Sequence, residues 1–403
     1  MIPSARSFPR TLPGPAERSR ELRTGALLLV VLTAGAYLPS PLYPGYQRAF
    51  EFSDLTTTLI YATFALVSAP ALVLFGQASD ALGPRSVLRW STLAAAAASA
   101  CFALATGPAV LLAGRALQGL ALGAATGAAG VLIGRGAPGR GSLVASTAFL
   151  AGTAIGPIAG GVLGSFDPVL LPYLVHLVLL RIAWHQVSGL PAAQAPGRWR
   201  PSRPRIPAGM RRSFAAAAVN GFLAWAVVGL FLSLIPSLLG AGPAITGGVL
   251  GSVLIFSVLV QPLVGRLGAR RAQLLGLGAL LLSLVLLAAT AGASLLVTFP
   301  MAVAAGLGHG LVYGGASAAV VDRTPEGQRG GITGALYLAF YAGAGFPAIV
   351  VGLLTWSRPL PIATTWTALA AVALIPVGVA LLLVERRASE VGVPGAQALR
   401  LRW

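Results

Sequence analysis

Stretches of mostly apolar residues alternate with short polar connections along the whole chain of 403 residues. Twelve of these stretches reach roughly 20 residues or more, the length that an α-helix needs to cross a hydrocarbon core of about 30 Å. They begin near Gly25, Thr56, Ser86, Pro108, Gly141, Pro168, Phe214, Gly247, Ala272, Ser294, Gly331 and Leu360. The pattern predicts an all-α membrane protein with twelve transmembrane helices.

Basic residues are concentrated in every second connection. Of the 28 basic residues, 24 lie in the two tails or in alternate connections, whereas the intervening connections hold only Arg48 and Arg358. The remaining two, Arg115 and Arg181, fall inside apolar stretches. Because basic residues in short loops stay on the cytoplasmic side during insertion, the sequence predicts a multi-pass protein of a bacterial plasma (inner) membrane with both termini in the cytoplasm.

Composition excludes other classes of protein. With 56% hydrophobic and 9% charged residues, the chain cannot cover a soluble surface with polar groups. The net charge of +18 is spread through loops beside the spans, which favours contact with lipid headgroups over nucleic acid. The single Cys101 and three scattered histidines have no metal-ligand spacing. No nucleotide-binding loop or enzyme site is recognisable, so we expect a protein without a cofactor. Its expected partners are a small-molecule substrate, the lipid bilayer and a proton, and it is expected to be a monomer.

The longest polar connection divides the spans into six and six. The predicted segments are a cytoplasmic tail (1–24), a six-helix bundle (25–189), a basic linker (190–213), a second bundle (214–385) and a C-terminal tail (386–403). Residues 82–85 (Leu-Gly-Pro-Arg) and 267–270 (Leu-Gly-Ala-Arg) occupy matching positions in the two halves. Two pseudo-symmetric bundles around a central pathway are typical of secondary transporters. A polytopic enzyme or receptor is the alternative.

The connection after the second span contains a motif. Gly76 is followed after three residues by Asp80, after two more by Gly83, and then by Pro84 and Arg85. In this spacing the chain resembles the major facilitator superfamily, whose signature has a basic pair at the end; Pro84 replaces the first basic residue. The resemblance implies the fold of that family and a loop that latches the cytoplasmic side. The predicted gating loop comprises Gly76, Asp80, Gly83, Arg85 and Arg89.

Two further patterns are similar to the drug-exporting branch of the family. In the fourth span, Arg115 is followed by Gln118 and Gly119, which implies an arginine in the substrate cavity; an arginine held only by Gln118 and backbone carbonyls is the alternative. The fifth span has the antiporter-like motif Gly152, Gly156, Pro157, Gly160 and Gly161. An earlier glycine of that signature is replaced by Leu143. The motif favours export, although plain helix packing also explains it.

All ten acidic residues lie outside the predicted spans. A proton antiporter often uses a membrane-embedded carboxylate, which this chain lacks. The candidate proton sites are therefore His309, Asp54 and Asp80. His309 lies near the middle of the tenth span, where an imidazole can exchange protons near neutral pH or serve as a hydrogen-bonded packing residue.

Polar and aromatic residues at mid-span depth predict the substrate cavity. They are Tyr37, Arg115, Gln118, Asn220, Trp225, His309, Tyr337 and Tyr341. A largely apolar pocket suits hydrophobic or amphipathic organic molecules, and Arg115 favours a neutral or anionic substrate. The predicted function is proton-coupled efflux of a drug or metabolite by alternating access. The alternatives are an importer or uniporter for a small metabolite and a non-transporting membrane receptor or partner protein.

Overall fold

The structure, a computed structural model, describes residues 14–76, 78–191, 205–324 and 329–391. Within them, twelve long helices follow one another and confirm the predicted all-α fold. The first six are α1 (Pro15–Tyr37), α2 (Asp54–Phe75), α3 (Pro84–Ala103), α4 (Pro108–Gly136), α5 (Gly141–Gly164) and α6 (Leu171–Ser188). The second six are α7 (Arg211–Leu239), α8 (Pro243–Leu267), α9 (Ala269–Thr290), α10 (Leu295–Val321), α11 (Arg329–Leu354) and α12 (Leu360–Val391).

The first and last helices extend beyond the apolar stretches that predicted them. Helix α1 begins at Pro15, inside the predicted tail, because proline is favoured at the first helical position. Helix α12 continues to Val391, past the predicted end at 385. Most of the predicted linker, residues 192–204, lies outside the described residues.

Ten segments of the described residues are long and apolar enough to cross a membrane by length and composition, and α3 and α6 are not among them. Helix α3 begins with Arg85 and Arg89 close together, and α6 contains Arg181 and two histidines. At 18 residues, α6 is about 27 Å long, slightly less than the hydrocarbon core. Both helices nevertheless pack within the first bundle, α3 against α4 and α6 against α3.

The two halves repeat the same packing. Helix α4 packs against α1, α2 and α3, and α10 packs against α7, α8 and α9. Each central helix has glycines at four-residue spacing on the face that meets its neighbour. A Cβ atom at Gly119 or Gly123 would overlap the carbonyl oxygen of Phe64 or Ser68 in α2. A Cβ atom at Gly306 or Gly310 would overlap that of Val253 or Ser257 in α8. The backbones therefore touch at equivalent places in both halves.

The loop after the second helix of each half also repeats. Gly83 has φ 77° and ψ 146°, and Gly268 has φ 77° and ψ 152°. This region of backbone conformation is accessible almost only to glycine. The matching segments 82–85 and 267–270 thus have the same conformation as well as a similar sequence.

The halves meet through two pairs of helices, α5 with α8 and α2 with α11. We call the side where α1 and α7 begin and α6 and α12 end the linker face, and the opposite side the far face. Gly161 of α5 packs against Pro243 and Gly247 of α8, and Gly352 of α11 packs against Thr58 of α2. All these residues lie in the parts of their helices nearest the far face. The far face is therefore closed.

Gly247→Ala should destabilise this closure, because a Cβ atom there would overlap the carbonyl oxygen of Pro157 across the interface. Overpacking of this kind costs about 1–3 kcal/mol. The neighbouring substitution Gly248→Ala is the matched control, since nothing lies within 4 Å of its Cβ position. We expect the thermal unfolding midpoint in detergent to fall for Gly247→Ala and to stay level or rise for Gly248→Ala. Equal midpoints would contradict the close contact.

Candidate substrate site

Arg115 of α4 is fully buried. It is hydrogen-bonded to α1, to α2 and to a side chain of its own helix. Its Nη1 donates to the carbonyl oxygen of Ala36 at the end of α1 and, at 2.8 Å, to the side chain of Gln118. Its Nε and Nη2 donate to the carbonyl oxygens of Ile60 and Tyr61 in α2, at 3.4 and 3.3 Å. Its positive charge is therefore matched by backbone dipoles rather than by a carboxylate.

Aromatic rings complete the surroundings of this guanidinium. Its Cζ lies 4.7 Å from the ring centroid of Phe64 and 5.7 Å from that of Tyr61, within the range of cation–π attraction. The ring of Tyr37 meets Phe64 edge-on at 5.6 Å. Arg115 thus lies between α1, α2 and α4 and holds them together.

The end of α1 explains why donors are needed at this point. Pro39 follows Gly35 by four residues and has no N–H, so it cannot close the helical hydrogen bond to the carbonyl oxygen of Gly35. Gln118 Nε2 donates to this oxygen at 2.9 Å, and Arg115 donates to the next one, that of Ala36. Together the two side chains cap α1, whose carboxyl end attracts a cation.

A second group of rings lies in the other half. His309 of α10 stacks on Tyr313 with centroids 5.5 Å apart, and Trp225 of α7 meets its ring edge-on at 4.7 Å. His309 Nδ1 is hydrogen-bonded to Ser257 Oγ at 2.8 Å, and the hydroxyls of Tyr313 and Tyr337 are 3.1 Å apart. Two polar atoms of this group, Trp225 Nε1 and His309 Nε2, have no hydrogen-bond partner among the described residues. Both side chains are buried.

Each of these groups makes one ring contact across the boundary between the halves. Phe149 of α5 meets the ring of Trp225 at 6.3 Å, and Tyr341 of α11 meets that of Phe64 at 6.2 Å. Aromatic side chains of both halves therefore meet at the boundary in two places. We call the two groups and the rings they contact across the boundary the central cluster: Tyr37, Phe64, Arg115, Gln118, Phe149, Trp225, His309, Tyr313, Tyr337, Phe340 and Tyr341.

Seven of the eight residues predicted to line the cavity belong to this cluster, and Asn220 does not. Its side chain donates to Gln273 Oε1 of α9 at 3.0 Å and packs against Gly378 of α12, so it faces the inside of its own bundle. Phe64, Phe149, Tyr313 and Phe340 were not predicted. For Tyr313, its position four residues after His309 was an available signal.

The three candidate proton sites are far apart in the chain and differ in their surroundings. His309 belongs to the central cluster. Asp54 begins α2 at the far face, where its Oδ1 accepts a hydrogen bond from Gln47 Nε2 at 2.8 Å. The backbone of Asp80 is helical, but its side chain lies outside the described part of the chain.

The predicted gating loop contacts the first bundle. The carbonyl oxygen of Gly76 leaves no room for a side chain at Gly127 of α4, and Gly83 provides the turn described above. The guanidinium of Arg89 lies 4.7 Å from the ring centroid of Trp184 in α6, and Arg85 is half-buried. Arg89 is therefore held by its own half.

The helix-five motif has two faces. Gly152, Gly156 and Gly160 pack against the backbone of α1 within the first half. Gly161 packs against α8 of the second half, and the carbonyl oxygen of Pro157 contacts Gly247. The motif therefore forms both a fixed contact inside a bundle and part of the boundary between bundles.

Comparison with known proteins identifies the family. The model of the family "Major Facilitator Superfamily" matches residues 25–210 and again residues 213–403. The chain belongs to the major facilitator superfamily.

Solved structures of a bacterial homologue of the human lysosomal transporter Spinster have the same fold. In its inward-facing, unoccupied conformation the TM-score is 0.69 at 14% identity, covering 93% of this chain and 98% of that chain. In its inward-facing, occupied conformation the TM-score is 0.66 at 16% identity, with the same coverage. No curated protein matches the sequence.

As a member of the major facilitator superfamily, the chain is a multi-pass membrane transporter and not an enzyme. It binds a small-molecule substrate within a lipid bilayer. The duplicated match of the family agrees with the repeated packing of α1–α6 and α7–α12.

Substitution of Gln118 tests the cap on α1. Gln118→Leu leaves the carbonyl oxygen of Gly35 unsatisfied, which costs about 1–3 kcal/mol. In a Pro39→Ala background the same change should cost at least about 0.5 kcal/mol less. Residue 39 has a helical backbone conformation, so the N–H restored by alanine is expected to donate to the carbonyl oxygen of Gly35. Thermal unfolding midpoints of the four proteins in the cycle measure the coupling. Additive effects would show that Gln118 does not replace the missing donor.

Proposed function

We propose that this transporter exports a small, neutral, hydrophobic or amphipathic organic compound, which binds in the central cluster between the two halves. The proposal rests on two buried atoms of the central cluster that have no hydrogen-bond partner among the described residues, Trp225 Nε1 and His309 Nε2. A buried polar group that lacks a hydrogen bond costs free energy. A ligand that supplies a donor or acceptor at this place recovers that cost.

The chemistry of the cluster indicates the kind of compound. Rings of tryptophan, tyrosine and phenylalanine offer apolar faces, and Trp225 Nε1 and His309 Nε2, on two rings in contact, can each form a hydrogen bond. An aromatic or aliphatic body with one hydrogen-bonding group fits both features. Trp225 can only donate, so the compound needs at least one acceptor, such as a carbonyl, ether or hydroxyl oxygen.

The surroundings of Arg115 favour a neutral compound over an anion. Its described hydrogen bonds use Nε and both terminal nitrogens, and its side chain is 0% exposed. A substrate carboxylate would have to displace backbone carbonyls that need these donors. No carboxylate is part of the central cluster either, so a cationic substrate has no counterion there.

The contacts between halves support alternating access. The far face is closed, and both ion pairs in the described residues lie at the linker face within single halves. Glu21 of α1 pairs with Arg135 of α4 at 3.6 Å, and Glu385 of α12 pairs with Arg323 at 3.3 Å. The linker face can therefore separate without loss of an ion pair. If this face is cytoplasmic, as the basic residues predict, the closed far face is the outer one.

The direction of transport rests on the helix-five motif. Its resemblance to proton-driven drug antiporters favours export, and Gly161 places the motif at the boundary between halves. We propose His309 as the site that exchanges protons with the substrate pathway, since Ser257 holds its Nδ1 and leaves Nε2 free. Proton binding at Nε2 would compete with a substrate that uses the same atom.

Removal of the indole N–H tests the binding site. Trp225→Phe keeps an aromatic ring but removes the donor, and we expect the concentration for half-maximal transport to rise about 3–10-fold, as for loss of a hydrogen bond of about 1 kcal/mol. Trp366→Phe is the control, because that ring is 47% exposed and meets only Arg358 among the described contacts. Accumulation of labelled apolar compounds in cells with and without the protein, over a range of concentrations, provides the measurement.

The same measurement tests the direction of transport. Higher accumulation in cells with the protein would contradict export and indicate import.

Replacement of His309 tests proton coupling. In proteoliposomes, efflux by the natural sequence should depend on an imposed pH gradient. His309→Gln retains a hydrogen-bonding side chain but cannot titrate, so transport should continue down the substrate gradient without a response to pH. A pH response that survives in His309→Gln excludes this residue as the proton site and leaves Asp54 and Asp80.

A further inference from the structure

A groove on the linker face lies apart from the central cluster, between the start of α1 and the end of α6. It consists of two adjoining cavities of about 600 Å³ and about 410 Å³, both lined by Arg20 and Gln186. Arg23 and Ser19 line the larger cavity, and His185 and Ser188 line the smaller one. The walls therefore combine two fixed positive charges with several hydrogen-bonding groups.

The two arginines have no described acidic partner. Residues 16, 20, 23 and 27 form one stripe of α1, because side chains three or four positions apart share a helix face. Glu21 lies on another face, where it pairs with Arg135 of α4. Glu17 is three positions before Arg20, but no ion pair between them is among the described contacts. The adjoining sequences 1–13 and 192–204 contain five arginines and no acidic residue. The positive charge of the groove is thus left for a ligand.

The groove is continuous with the surface of the helices. Leu27 lines it on the side toward the middle of α1, so its inner wall is apolar. On α6, Arg181 is exposed and lies one turn before His185. An arginine at this depth avoids the cost of the hydrocarbon core by extending its guanidinium toward headgroups. Three basic side chains are therefore available where a lipid headgroup meets its acyl chains.

We propose that this groove binds the phosphate group of an anionic phospholipid from the leaflet at the linker face. Arg20 and Arg23 bind the phosphate oxygens, for which the guanidinium fork is suited. Ser19 and Gln186 bind the polar part of the headgroup, and Leu27 contacts the start of an acyl chain. The bound lipid links α1 to α6 and stabilises the first half. A basic recess between helices is a known form of lipid recognition.

Thermal unfolding of the purified full-length protein in neutral detergent tests the site. Added phosphatidylglycerol should raise the unfolding midpoint, whereas phosphatidylcholine should have little effect. The double variant Arg20→Gln/Arg23→Gln should lose at least half of the phosphatidylglycerol shift. The matched control is Arg211→Gln/Arg212→Gln, which removes the same charge at the exposed start of α7 on the same face, and it should keep the shift.

A second variant leaves the charge unchanged. Gly189→Leu would place its side chain against the guanidinium of Arg20 inside the groove, and it should also reduce the phosphatidylglycerol shift. Equal losses in both double variants would reduce the effect to general surface charge and overturn the proposal. A shift with inorganic phosphate equal to that with phosphatidylglycerol would assign the groove to a free anion and overturn the lipid as its ligand.

Discussion

Close contact between helix backbones is the interaction on which the rest of this structure depends. Inside a bilayer, lipid chains are as apolar as leucine, so helices associate through tight packing and hydrogen bonds. The chain provides that packing through glycines at four-residue spacing, on α4 against α2, on α10 against α8 and on α5 against α1. The same feature extends to the boundary between halves, where Gly161 and Gly247 pack together. Contacts without side chains can be re-formed when two bundles rock, which suits a transporter.

The buried arginine follows from the ends of these helices. A charge in the hydrocarbon core costs roughly 2.5–3.5 kcal/mol on insertion scales, and Arg115 has no carboxylate to offset it. Pro39 instead ends the hydrogen bonding of α1 early and leaves carbonyl oxygens that need donors. Arg115 and Gln118 meet that need. The cation and the prematurely ended helix stabilise each other, so the arginine is required by the fold before it is required by any substrate.

The fold could be predicted from the sequence to a large extent, because apolar length and the placement of arginine depend on local composition alone. The twelve helices and the matching loops at Gly83 and Gly268 follow from such local signals. The surroundings of individual polar residues could not be predicted in this way. Asn220 pairs with Gln273, and His176 lies between Ser99 of α3 and the carbonyl oxygen of Val31 in α1. These partners are distant in sequence, and their contact depends on helix rotations that periodicity does not determine. For the same reason, the free atoms of Trp225 and His309 become visible only in three dimensions.

Comparison of the repeated halves indicates which half uses its central polar side chains to hold helices together and which half offers them to a substrate. Alignment of Gly119 with Gly306 places Arg115 opposite Ala302 and Gln118 opposite Ala305. The second half has no such cap: its helix α7 continues past Pro236 to Leu239 and is followed by Gly240 with φ 62°. Its central space is filled instead by Trp225, His309 and Tyr313. Within the central cluster, Arg115 and Gln118 of the first half thus hold α1 and α2 in place, whereas the two atoms without a described hydrogen-bond partner, Trp225 Nε1 and His309 Nε2, belong to the second half. Specificity for the substrate should therefore depend mainly on the second half, with the first half serving as the rigid surface against which it moves.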